Sequence, residues 1–183
     1  PHPTVLVGAD VDGKPDFAAV AWTGVAASKP AAITIALQPH RYSLKGIYQN
    51  RTFSINVPSV DLVKEADYCG LVSGKDADKV KDCKFKVFYG DLKTAPMIEE
   101  CPVNLECEAA HILNLGSHML VVGRVTESYI DEDCMTDDRP DMFKARPFSF
   151  GYRKYYALGE AIADPFKSGW DIKPRPKKVQ DKG

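Results

Sequence analysis

Apolar and polar positions alternate with period two along several stretches of this chain. Each such stretch predicts a β-strand with one buried face. Ile33, Ile35 and Leu37 alternate with Thr34 and Ala36, and Phe53, Ile55 and Val57 alternate with Ser54 and Asn56. Phe85, Val87 and Tyr89 predict a further strand. Val103, Leu105, Cys107 and Ala109 alternate with Asn104, Glu106 and Glu108, and the apolar run 119–130 follows. These last two predict a long hairpin turning near Gly116. Near the start, the apolar runs 4–8 and 17–24 flank "DVDGKP". Asp12-Gly13 is the pair that a type I′ turn requires, since both central residues need positive φ.

Helical spacing is confined to short segments. Leu44, Ile47 and Tyr48 fall at i, i+3 and i+4, one face of a short helix with Ser43 as its expected N-cap. Residues 59–71 predict a second helix, with Ser59 as cap and Gly70 near its end. Residues 72–82 predict a polar loop, and 131–141 an acidic, solvated one. Residues 152–159 are aromatic-rich. About seven strands joined by short helices predict a mainly β fold, an antiparallel sheet that curls or closes rather than a parallel βα array. The domain is expected to span 1–170. The segment 171–183 is too polar to build a core and is expected to be an extended or disordered tail.

Charge narrows the function. The 24 basic and 25 acidic side chains leave a net charge of -1. Nucleic-acid and membrane-surface binding, which need a basic excess, are not expected. No apolar run is long enough to cross a membrane as a helix. The first residues lack the pattern of a secretory leader. Five cysteines without a paired motif predict reduced, mostly buried thiols and a cytoplasmic setting. The four histidines are scattered, so no metal centre is expected. A Rossmann glycine motif, a Walker loop, a nucleophile elbow and a zinc-protease helix are all absent from the sequence.

One short stretch stands out. In "QPHRYSLKGI" a strand ends and a helix begins, with His40, Arg41, Tyr42 and Ser43 together at the junction. A helix N-terminus offers unpaired N–H groups and partial positive charge, which suit a phosphate. Arg41 adds a charged fork and Ser43 a hydroxyl. A merely capped turn reads the same residues equally well. "SGKDADK" is a second candidate, through Ser73, Gly74 and Lys79, with a solvated loop as its plain alternative.

The order of these pieces resembles the flavin-reductase-like, FMN-binding split-barrel family, in its flavoredoxin branch. The resemblance runs over about residues 3–170. It is carried by "PTVLVGADVDGKPDFAAVAW", "AAITIALQ" leading to "RYSLKGI", "FSINVPS", "DYCGLVSGKDADK", "TAPMIEECPVNLECE", "GSHMLVVGRV" and "YYALG". It implies an antiparallel Greek-key split β-barrel with a few short helices. It implies FMN as cofactor, with Val20, Ala21, Trp22 and Thr23 along the ring. Gln38, His40, Arg41, Tyr42 and Ser43 are implied at the ribityl chain and phosphate, Asn56 nearby, and Ser73, Gly74 and Lys79 as a phosphate-side clamp. Many of the family's reductases carry Gly-Asp-His where this chain has Gly116-Ser117-His118. His118 is thereby implied as an aid to catalysis, without the carboxylate that would orient it. The resemblance also implies a homodimer that takes electrons from NAD(P)H or from a redox protein. A non-redox module holding a phosphate ligand such as pyridoxal phosphate, or another flavin, is the alternative.

Overall fold

The computed structural model describes residues 2–170 and 172. The expected tail 171–183 therefore lies outside the described residues, apart from Ile172. Seven strands make the main sheet: β1 (Val5–Val11), β2 (Lys14–Val20), β3 (Thr23–Ser28), β4 (Ala31–Leu37), β5 (Thr52–Val57), β6 (Val103–Asn114) and β7 (Met119–Ile130). Their order is β2-β1-β5-β6-β7-β4-β3, every pair antiparallel. Strands β5, β6 and β7 lie side by side in chain order, and β4 returns beside β7, which is the Greek-key arrangement.

The two edge strands, β2 and β3, are consecutive in the chain and joined only by Ala21 and Trp22. The sheet must therefore curl until its edges meet. They are joined at that corner, and there Ala36 N–H donates to the Trp22 carbonyl at 2.9 Å, extending the β3–β4 pairing into the connection. This is the split barrel. The apolar run 17–24, read as one strand, is divided here: Val20 pairs with Val5, whereas Thr23 pairs with Ile35. Alternation marks apolar positions on both sides of a corner equally, so it does not reveal the corner.

The hairpin β1–β2 turns through Asp12 and Gly13, at φ 52° and 78°, as the Asp-Gly pair predicts. Inside the barrel lie Val7, Ile35, Phe53, Ile55 and Val121, with Leu44 and Ile47 of helix α1 (Tyr42–Asn50) closing one end. Outside it a second core, including Leu6, Phe17, Cys69, Ile98 and Phe148, is covered by α2 (Val63–Leu71) and α3 (Lys79–Cys83). A C-terminal hairpin, β8 (Phe148–Gly151) and β9 (Lys154–Ala157), pairs with His2–Pro3.

Several local expectations change. The N-cap of α1 is Arg41, without a side-chain cap bond, and Ser43 is fully buried within the first turn. The buried face of α1 runs through Ser43, Leu44, Gly46 and Ile47, which leaves Tyr48 49% exposed. Ser59 does cap its helical segment, accepting from Asp61 N–H. The polar stretch 72–82 contains most of α3, whose N-cap Asp78 accepts from Lys81 N–H. The strand expected over 85–89 shrinks to Val87–Phe88. The 89–92 segment is held instead by the buried Glu106 carboxylate, which accepts the N–H groups of Gly90, Asp91 and Leu92.

Candidate functional site

The corner Ala21-Trp22, the end of β4 and the tip of the β6–β7 hairpin converge for a topological reason. Leu37 pairs with Met119, so the next residues outward, Gln38 and His118, face each other at the sheet's end. The edges close beside them. The result is a cleft of about 210 Å³ walled by 19–22, 36–38, Arg41 and His118. A contiguous hollow of about 310 Å³ shares Ala19, Val20, Ala21 and Arg41, and continues to Asp67, Gly70 and Tyr155.

The polar groups are arranged around Arg41. Its Nη1 donates to the Gly70 carbonyl at 2.9 Å, which ties the start of α1 to the end of α2. The hydroxyls of Ser43, Thr23 and Thr4 are buried without a hydrogen-bond partner. A buried hydroxyl without a partner costs free energy. Of the three, Thr4 borders the second hollow with Arg41, Thr23 a separate hollow on the other side of Trp22, and Ser43 none of them. At the far end, Tyr155 donates to Asp67 at 2.8 Å. Burial first, and this bond second, push the Tyr155 phenol up to about 12. At the near end, the His118 ring lies against the Trp22 indole, with centroids 4.3 Å apart. Its Nδ1 is 3.0 Å from the Ser117 hydroxyl, which stands where a carboxylate was absent from the sequence.

Val20, Ala21, Trp22, Gln38, Arg41 and His118 thus share one cleft. His40 and Tyr42 line the next hollow around the start of α1, which also borders Arg41. Tyr42 borders a third hollow with Gly74 and Lys79. Gly74 lies so close that a Cβ there would sit 2.0 Å from Asp16 Oδ1 and 2.9 Å from Tyr42 Cδ1, so no other residue fits without movement. The Ser73 hydroxyl accepts from Lys75 N–H within its own turn.

Two of the expected residues are turned inward. The Lys79 ammonium, 4% exposed, donates to the Phe17 carbonyl at 2.6 Å and lies 3.0 Å from the Asp16 carboxylate. Asn56 is fully buried. It donates to the Leu6 carbonyl and the Ser54 hydroxyl and accepts from Ile98 N–H, so it braces β5 against its neighbours and lines none of the hollows around Arg41. Conversely, sequence reading missed Ala19, Ala36, Gly70, Asp67 and Tyr155. Only the aromatic run at 152–159 signalled the last of these.

Known proteins share this fold. The profile of the flavin reductase-like domain matches residues 1–158. A flavoredoxin from Methanosarcina acetivorans is 35% identical, with TM-score 0.91 over 94% of this chain and 92% of that one. The flavoredoxin of Desulfovibrio vulgaris (Miyazaki F) is 34% identical, with TM-score 0.87 over 92% and 93% of the two chains. An FMN-binding protein from Thermus thermophilus shares the fold, at 22% identity and TM-score 0.77 over 90% of each chain.

Proposed function

This chain belongs to the flavin reductase-like domain family, and we propose that it is an FMN flavoprotein of flavoredoxin type that passes electrons through a flavin held in the Trp22–Arg41 cleft. The observation that carries the reading is Arg41 at the start of a nine-residue helix, sharing one cleft with the Gln38 amide and the main chain of 19–22. That donor set suits a phosphate at the helix N-terminus and a polar ring edge along 20–22.

FMN supplies reversible one- and two-electron chemistry when bound. The protein's part is to bind and orient it. Main-chain groups at 20–22 would hold the polar ring edge, and Gln38 would supply an amide at the strand end. Arg41 brings positive charge, and its anchor on Gly70 fixes that charge in place. Trp22 and His118 cover one side of the cleft mouth. The 35% identity to a flavoredoxin favours a protein redox partner over NAD(P)H as donor, and Ser117 in place of a carboxylate leaves His118 less suited to a nicotinamide.

We further propose that the chain works as a homodimer. Val25 on edge strand β3 and Leu115 at the hairpin tip are 86% and 61% exposed, and a second copy would cover them. Light scattering reads this mass directly.

Titration of apoprotein with FMN tests the cofactor: quenching of flavin fluorescence at one equivalent is expected, and none would overturn the reading. Anaerobic mixing of the loaded protein tests the donor. Bleaching of the flavin band by a reduced ferredoxin-type protein, with NADH and NADPH inert, is expected. Rapid bleaching by a nicotinamide would instead make it a reductase.

A further inference from the structure

The chain after β9 carries an apolar arm. Leu158, Ile162, Phe166 and Trp170 recur at every fourth residue. All residues from 156 to 170 are exposed. Ile162 and Phe166, at 98% and 95%, lie almost wholly in water in the single chain. The end of the arm is held by its own bonds: Ser168 N–H donates to the Asp164 carbonyl, and the Trp170 indole and main-chain N–H donate to the carbonyls of Phe166 and Lys167. The match to the domain profile stops at residue 158, where the arm begins.

The hollow on the other side of Trp22 is open and largely apolar, with a volume of about 440 Å³. His2, Trp22, Gly24, Thr34, Ala36 and Leu120 wall it. Apolar surface continues from it. Val25 follows Gly24 on β3 and is 86% exposed, and Leu113 pairs with Leu120 across the β6–β7 hairpin and is 49% exposed. Large apolar side chains left in water at both places mark surfaces that another molecule covers.

We propose that the arm of one copy lies on the barrel of a second copy and sets its Phe166 ring in the hollow behind Trp22. The inference rests on the homodimer reading and says how that dimer is held. A second copy is the occupant because each chain carries both halves of the contact, one arm and one hollow. A two-fold axis uses both arms and both hollows at once, as a closed pair of identical chains requires. The halves also match in character. Asp164 and Lys167 pair at 3.6 Å, so the turn that carries Phe166 brings no net charge to an apolar surface. Trp22 walls both this hollow and the Arg41 cleft. The second copy's ring therefore backs a side chain of the cleft, and the site is complete only in the dimer.

The test uses the full chain and needs no flavin chemistry. One preparation carries the photo-crosslinker p-benzoylphenylalanine at position 166, and a second, heavy-isotope preparation keeps Phe166. The two are mixed, left to exchange, irradiated and digested with trypsin. The arm is read in fragment 155–167. The hollow is read in fragments 1–41 and 94–124, because Lys14 and Lys29 precede proline and resist cleavage. The expected product joins a light arm fragment to a heavy 1–41 or 94–124 fragment. Phe166→Ser and Ile162→Ser should each raise the dimer dissociation constant about tenfold in sedimentation. In Trp170→Phe, Trp22 is the remaining tryptophan, and adding Phe166→Ser should open it to iodide quenching. A monomeric mass by light scattering overturns the homodimer reading and this inference with it. A dimer whose cross-links stay within one chain, or whose dissociation constant ignores both substitutions, overturns the inference alone.

Discussion

The Trp22 indole and the His118 imidazole lie against each other, with centroids 4.3 Å apart and planes tilted by 35°. They are 96 residues apart in sequence, and the contact joins the β2–β3 corner to the tip of the β6–β7 hairpin. Stacked aromatic rings contribute about 0.5–1.5 kcal/mol beyond their buried area. Trp22→Ala is therefore expected to loosen the hairpin tip. Amide exchange at 115–118 should quicken about tenfold, while the barrel strands stay protected.

Ser43 offers a test with opposite signs in two states. Its hydroxyl is buried and unpartnered in the protein alone. Ser43→Ala should leave apoprotein stability unchanged or raise it by about 1 kcal/mol, because an unsatisfied donor is removed. If the phosphate of FMN completes that hydroxyl, the same substitution weakens FMN binding by about 1–3 kcal/mol. Thermal unfolding of apoprotein and fluorescence titration with FMN read the two effects separately. Arg41→Ala should weaken FMN at least as much, and also free α2 from α1 at Gly70.

Lys79 and Asp16 form a buried pair, 4% and 5% exposed at the side chain. Removing one partner strands the other charge in the core, a loss of about 3–5 kcal/mol. Lys79→Met should therefore lower the urea midpoint sharply. Lys79→Met combined with Asp16→Leu should recover much of the loss. If Lys79→Met keeps native stability and loses only FMN affinity, the residue holds the cofactor rather than the fold.

Tyr155 sets a limit at high pH. Its phenol stays protonated in the fold up to about 12, against an ordinary value of 10.0, because of burial and then the bond to Asp67. The raised value means the folded chain keeps a proton that the unfolded chain releases. The contribution is complete below pH 10 and is lost as pH rises toward 12. Wild type should lose stability faster than Tyr155→Phe across that window in urea titrations at fixed temperature. Parallel curves would show that Tyr155 is not coupled to folding.

The C-terminal hairpin and the 89–92 segment show why some elements were not legible. Glu106 sits at a polar position of an alternating strand, where sequence reading puts it in solvent. In the fold it is fully buried and holds three backbone N–H groups. A buried carboxylate is set by partners distant in sequence, so no local pattern announces it.

What the sequence determined by itself is whatever rests on neighbours along the chain. Period-two alternation placed β4, β5 and β6, the apolar run after Gly116 placed β7, and Asp12-Gly13 placed the first hairpin, because side-chain direction and turn dihedrals are local properties. Together with the ordered motifs, these identified the barrel and gathered most of the cleft: Val20, Ala21, Trp22, Gln38, Arg41 and His118. Only the tertiary structure decided which polar residues serve the cleft and which serve the core. Lys79 and Asn56 read as site residues, but their donors and acceptors are taken up by Asp16, Phe17, Leu6, Ser54 and Ile98. A polar side chain carries the same chemistry wherever it points. The bond to Gly70 fixes Arg41 beside the cleft, and Asp16 with the Phe17 carbonyl draws Lys79 into the core.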